Sequence, residues 1–160
     1  MNGHVDFYRD WDSYKVGFGN MSDEFWLGNT YLHLLTNQGN FILRIELEDF
    51  DGNHRYAEYT HFSISDESSG FRLRFKYYTG DAGDSLVFHN GQMFSTKDKN
   101  QMYCAQRFKG AWWYNGYGCS ASNLNGQYVN GTHELVVNGL IWRHWRYYSL
   151  KSTRMMFRKA

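Results

Sequence analysis

The sequence predicts an α+β fold, and three observations carry the prediction. Apolar residues recur at helical spacing in the first third of the chain. Two-residue alternation takes over between residues 41 and 77. From residue 79 to 139 regular periodicity fails, yet Phe, Trp and Tyr stay dense among Gly, Asn, Asp and Ser. Disordered segments are poor in aromatics, so this last stretch is expected to be ordered irregular structure, which in a compact domain is usually functional.

The elements follow in order. In "RDWDSYKVGF", Trp11, Tyr14 and Phe18 fall on one face of a short helix, with Gly17 and Gly19–Asn20 as a stop. A second helix is expected to start at Ser22 or Asn29, both good N-caps. It would carry Leu27, Tyr31, Leu34 and Leu35 on one face and end at "TNQGN". "FILRIELE" alternates Phe41, Leu43, Ile45 and Leu47 with Ile42, Arg44, Glu46 and Glu48, the pattern of a half-buried strand. "DFDGN" signals a hairpin into "RYAEYTHFSIS". "FRLRFKYY" alternates again, with Arg72, Arg74 and Lys76 on a solvated face, and "SLKSTRMMFRK" is expected to return as a final strand. The chain is read as one domain over residues 1–160: helices and central strands in 1–78, a loop-rich binding region in 79–148, and the return strand in 149–160.

Composition narrows the function. Thirteen Tyr, twelve Phe and six Trp supply both core area and flat contact surface. A formal net charge of +1 leaves no electrostatic footprint for nucleic acid or an anionic membrane surface. No stretch approaches the roughly 20 apolar residues of a spanning helix. The N-terminus lacks the basic and apolar regions of a signal peptide, so either a precursor segment has been removed or the protein is not exported.

Catalytic patterns are missing from the sequence. The seven histidines, at positions 4, 33, 54, 61, 89, 133 and 144, form no zinc-ligand spacing. There is no nucleophile elbow, P-loop or dinucleotide fingerprint. The carboxylate pairs Glu46/Glu48 and Glu58/Asp66 read as solvent faces of strands. "WRHWRYY" has the aromatic–basic look of a nucleic-acid patch, but the balanced charge favours packing and surface roles. No enzymatic activity is expected.

The residues alone leave Cys104 and Cys119 as two reduced thiols or as a bridge. A bridge would close a 15-residue separation across a Gly-rich aromatic loop and contribute about 3 kcal/mol in the loop-entropy picture. The N-glycosylation sequons at Asn20 and Asn130 point to an extracellular, secreted setting.

Several segments together resemble the fibrinogen C-terminal domain, the module of ficolins, tachylectins, tenascins and angiopoietins. They are "DFYRDWDSYKVGFGNMSDEFWLGNTYLHLLTNQGN", "GDAGDSLVFHNGQMFSTKD", "CAQRFKGAWWYN", "SNLNGQY" and "IWRHWRYYSLKSTRMMF", in the family's order and over almost the whole chain. The lectin-like ficolin and tachylectin branch looks nearest, and the usual N-terminal portion of the domain is not matched.

The resemblance implies a secreted, non-catalytic recognition module of the innate-immune pattern-recognition type, oligomerised through regions outside this chain. It implies a Cys104–Cys119 disulfide beside a pocket that takes the acetyl group of sugars or glycoconjugates. The pocket would involve Phe108, Gly118, Cys119, Ser120, Val136 and Tyr147 or Tyr148, with a cis peptide entering Cys119. Two positions depart from the family: Ser120 stands where a His is usual, and Val136 where acetyl-binding members often have Tyr. Lectin-like members also carry a D-x-D-x-D calcium run before the first cysteine. Here "DKNQMYC" leaves Asp98, Asn100 and a backbone oxygen such as that of Met102, which predicts a weak calcium site at most. The rival reading is a protein–protein adhesion or receptor-binding module that uses the same surface.

Overall fold

The structure is a computed structural model that describes residues 3–129 and 137–160. Helix α1 (Trp11–Val16) starts where the Asp10 carboxylate caps the Ser13 N–H, and it buries Trp11 and Tyr14. The expected third residue of that face, Phe18, instead opens strand β1 (Phe18–Gly19), which pairs with β2 (Phe25–Trp26). Gly17 ends the helix at a φ of +94°, so Phe18 leaves the helical path.

Helix α2 (Asn29–Thr36) takes the second of its two expected starts; Ser22 lies in the β1–β2 turn. Its expected apolar face is wrong. Asn29, Leu32 and Thr36 are buried, whereas Tyr31, Leu34 and Leu35 face solvent. The buried oxygens have partners: Asn29 Oδ1 accepts from Trp26 Nε1, and Thr36 Oγ1 donates to the Leu32 carbonyl and accepts from the Ile64 N–H, while Asn29 Nδ2 is buried without one among the described residues. Satisfied polar groups bury at little cost, so apolar counting picks the wrong side.

Strands β3 (Phe41–Glu48) and β4 (His54–Thr60) form the predicted hairpin. The buried Asp49 carboxylate accepts the Asp51 and Asn53 N–H groups in its turn, and Gly52 adopts a φ of +81°. The "FRLRFKYY" segment gives less strand than its alternation suggests: β5 (Ser63–Ile64) pairs with β6 (Leu73–Arg74), and β7 (Tyr78–Gly80) joins β4. A 3₁₀ turn (Val87–His89), helix α3 (Met102–Phe108) and the short pair β8 (Ser122–Asn123) and β9 (Ile141–Trp142) lie in the loop-rich region. Strand β10 (Ser152–Lys159) returns along the full length of β3, giving the sheet order β10-β3-β4-β7.

The core is aromatic. Leu43, Ile45 and Leu47 form the buried face of β3, as the alternation predicts. Ring contacts link much of the rest: Trp11 stacks on Phe71 at 5.4 Å, Phe94 meets Tyr14 and Trp113 at 5.1 Å each, and Trp113 meets Trp112 at 5.1 Å. Much of the aromatic excess is therefore core, and the smaller remainder at the surface gains interest.

Candidate functional site

Cys104, in α3, and Cys119 are joined in a disulfide with 5.4 Å between their Cα atoms. The loop between them begins with a scaffold that the sequence motifs build. "GAWWYN" and "SNLNG" are held together by buried hydrogen bonds: Trp112 Nε1 to Ser122 Oγ, Tyr114 OH to Asn123 Oδ1, and Asn125 Nδ2 to the Ala111 carbonyl. Asn123 Nδ2 also donates to the carbonyls of Phe108 and Gly139. Both motifs are internal, so they position the site without presenting side chains to a ligand.

His89 organises the next layer. Its Nδ1 lies 2.7 Å from the Trp113 carbonyl, which can only accept, so the proton resides there. Nε2 is then an acceptor for the backbone N–H groups of both Ala121 and Ser122. Burial pushes the imidazole pKa down to about 4, against the smaller opposing effect of the Trp113 carbonyl. Nothing in the sequence around "FHNG" marks this histidine, since its partners lie more than 20 residues away.

The expected pocket residues divide between core and surface. Phe108 is only 3% exposed and packs on Tyr114 at the end of α3. Ser120 is buried, its N–H donating to the Gly118 carbonyl and its hydroxyl to the Ser122 carbonyl. Gly118 is exposed at a φ of +105°, and Cys119 follows at +67°, a left-handed conformation uncommon for a residue with a Cβ. The peptide bond between them is trans, which corrects the expected cis bond; the two successive positive φ values turn the chain into the bridge instead. Tyr147 is 71% exposed and Tyr148 is half-buried near Arg146. Val136 and the sequon residue Asn130 lie outside the described residues. Asn20 is exposed, its side chain accepting from Ser22.

Sequence reasoning missed the surface over this scaffold. Tyr117, between two glycines at the tip of the bridged loop, is fully exposed. Asn115 holds the loop's base, accepting the Tyr117 N–H on Oδ1 and donating to the Phe88 carbonyl. Phe88, Val87 and Tyr103 are also exposed. The 83–88 segment is stitched to the turn after β9 by Trp142 Nε1 to the Gly83 carbonyl and by the His144 N–H to Ser85 Oγ. The "NGYGC" stretch carries the one available signal, an aromatic side chain isolated by glycines inside a cysteine-closed loop.

The loop before α3 does not fit a calcium ion. Asp98 Oδ1 accepts the Trp11 N–H at 3.0 Å and the Thr96 hydroxyl at 2.6 Å, and the Asn100 amide donates to the Phe94 carbonyl. Met102 contributes its N–H to the Asn100 carbonyl. One carboxylate already engaged by two donors falls short of the six to eight oxygens calcium takes. Among the described residues no group of three or more His, Cys, Asp or Glu is placed to hold a metal.

The remaining chemistry is structural. Arg44 sits between Glu46 and Glu58, and Glu48 pairs with Lys151, so the strand carboxylates are charge-paired and not set as an acid and a base. In "WRHWRYY", Arg146 binds the buried Asp49 and lies over the Trp145 ring, the packing role expected of it. A cavity of about 830 Å³ opens between the β1–β2 hairpin and β10, lined by Phe25, Leu43, Met155 and Phe157 among others and by none of the expected pocket residues. Among the described residues no helix is long and apolar enough to cross a membrane.

Comparison with known proteins agrees with this fold. The family model for the C-terminal globular domain of fibrinogen beta and gamma chains matches residues 1–160. The fibrinogen-like globe domain of human ANGPTL2 is 42% identical with a TM-score of 0.94, over 99% of this chain and 76% of that one. The corresponding domain of human ANGPTL6 is 39% identical, TM-score 0.94, over 100% and 75%. The lamprey fibrin D-dimer complexed with the peptide Gly-His-Arg-Pro-amide is 38% identical, TM-score 0.87, over 98% and 58%. These relatives give no specific support to the ficolin and tachylectin branch. The chain belongs to the fibrinogen C-terminal globular domain family, whose members are non-enzymatic binding modules.

Proposed function

We propose that this chain is an extracellular protein-recognition module that engages a peptide segment of its partner with the surface over the Cys104–Cys119 bridge. The observation that carries the reading is Tyr117, wholly exposed on a loop closed by the disulfide and braced by Asn115 against Phe88. Binding hot spots are enriched in Tyr, and a pre-braced loop loses less conformational freedom on association. Tyr103, Phe88 and Tyr147 would extend the contact. A peptide bound by the related lamprey fibrin supports this partner class. Asn20, exposed and in a sequon, would carry glycan.

The acetylated-sugar reading, with Phe108, Ser120, Val136 and Tyr147 or Tyr148 as its pocket, has less support. The Ala121 and Ser122 N–H groups are committed to His89, and the Ser120 hydroxyl to a carbonyl, so few donors remain for an acetyl oxygen. The experiment is a binding screen of a multimerised chain against cell-surface ectodomains, with N-acetylglucosamine as competitor. Tyr117→Ala should abolish binding while Lys76→Ala leaves it intact. Elution by the sugar together with indifference to Tyr117→Ala would return the assignment to the lectin reading.

A further inference from the structure

The loop from Thr96 to Gln101 connects two distant parts of the chain. Asp98 reaches 87 positions back to the first N–H of α1, at Trp11, and shares the same oxygen with Thr96. Lys97 Nζ donates to the Tyr8 carbonyl at 3.0 Å and sits 4.6 Å from the Tyr8 ring centroid. Lys99 lies 4.2 Å over the Trp11 ring, and Lys109, just after α3, lies 5.0 Å over Tyr8. On its other side the loop is tied to α3 and the core. Gln106 donates to the Lys97 carbonyl, the Gln101 N–H donates to Ser95 Oγ, and Thr96 and Lys99 exchange backbone hydrogen bonds.

We propose that this cluster is a built-in latch that does the ordering work a bound cation would otherwise do, so that α3 and its disulfide loop are held in place without divalent metal. Charge and geometry both support it. A calcium ion on Asp98 would have to compete with the Trp11 and Thr96 donors on Oδ1 for the charge of a single carboxylate, and it would enter a segment whose flanking residues, Lys97 and Lys99, are already cationic. The ammonium groups instead bind aromatic faces and a carbonyl of residues 8–11, which clasps that segment to the base of the recognition surface. The inference concerns the order of the loop and does not depend on which ligand the surface takes.

The test needs no ligand. Thermal unfolding and amide exchange of the whole chain are measured with excess calcium chloride and with EDTA, for the unaltered protein, Asp98→Ala, Asp98→Asn and Thr96→Val. The melting temperature of the unaltered protein is expected to be the same in both media. Asp98→Ala should speed exchange at the Trp11 amide roughly tenfold or more, the loss of a hydrogen bond to a charged acceptor, and calcium should not restore it. Asp98→Asn, which keeps an acceptor oxygen, should fall between. Thr96→Val, which removes one donor only, covers the case in which the Asp98 variants do not fold. A rise in melting temperature with calcium that Asp98→Ala removes would overturn the proposal in favour of a metal site. Unchanged Trp11 exchange in Asp98→Ala would overturn it as well.

Discussion

The imidazole of His89 donates to the Trp113 carbonyl 2.7 Å away and, through its other nitrogen, receives two backbone N–H groups of the segment that follows the disulfide. Protonation would destroy the acceptor, and burial already opposes it. A histidine whose folded pKa lies below its unfolded value contributes stability that is full above about pH 6.5 and is lost as pH falls toward 4. The loss should reach about 2 kcal/mol at pH 5 and about 3 kcal/mol below pH 4. Urea unfolding between pH 7 and 5 checks this. His89→Gln should be less stable at pH 7 yet flat across that window; a histidine-independent slope there would mean the site titrates elsewhere.

Asp49 and Arg146 are 97 positions apart and meet in a two-pronged contact of 3.1 and 2.9 Å. Burial by itself would raise the Asp49 pKa, but hydrogen bonds from Asn53, Arg146 and the Asp51 N–H outweigh it and hold the carboxyl below its usual range. Its stabilisation is therefore present above the ordinary carboxylate range and is lost only as pH drops below it, a window distinct from that of His89. Asp49→Ala strips acceptors from the hairpin turn and leaves Arg146 without its partner, and should cost about 3 kcal/mol. Comparing Asp49→Asn with the unaltered protein in acid titrations followed by circular dichroism isolates the charge: the variant's acid limb should be shallower.

The disulfide closes 15 residues, and removing it as Cys104→Ala with Cys119→Ala should lower unfolding free energy by about 3 kcal/mol. Near-ultraviolet circular dichroism of the folded variant should change little, because Trp112 and Trp113 are held by Ser122 and the Phe71 carbonyl and not by the bridge. A denaturation midpoint equal to that of the oxidised protein would show that the loop is closed by other contacts.

The sheet was legible in the sequence because its signal is local: alternation at Leu43, Ile45 and Leu47 states the buried face, and Asp51–Gly52 states the turn. Helix α2 was legible in its start and end but not its face, because Asn29 and Thr36 bury through partners at Trp26 and Ile64 that no helical period reveals. The cysteine pairing and the two scaffold motifs were visible as a family pattern. Their function as an internal frame was not, since a motif does not say whether its side chains point inward. Phe108, named from the family pattern, is almost wholly buried, whereas Tyr117, which no motif singled out, is the most exposed aromatic at the site. Long-range pairings such as Asp98–Trp11 leave no trace in spacing.

Asn123 gives the sharpest test of that frame. Its fully buried amide takes the Tyr114 hydroxyl on its oxygen at 2.7 Å and offers its nitrogen to the carbonyls of Phe108 and Gly139 at 3.0 and 3.2 Å. One side chain thus joins the end of α3, the aromatic run after it and the turn that precedes β9. Asn123→Ala would leave the hydroxyl and up to two carbonyls without this partner, each worth about 1–3 kcal/mol when buried, so a loss of about 3 kcal/mol or more is expected. Asn123→Asp keeps the shape and the acceptor for Tyr114 but turns the two donor contacts into a carboxylate oxygen facing carbonyl oxygens. At pH 7 it should be less stable than Asn123→Ala despite the smaller change in volume. Protonation supplies one donor, so the order of the two variants should narrow or invert as the pH is lowered toward 4. Urea unfolding of both variants at pH 7 and pH 4 measures this, and Asn123→Asp matching the unaltered protein at pH 7 would show that the amide nitrogen contributes nothing to the frame.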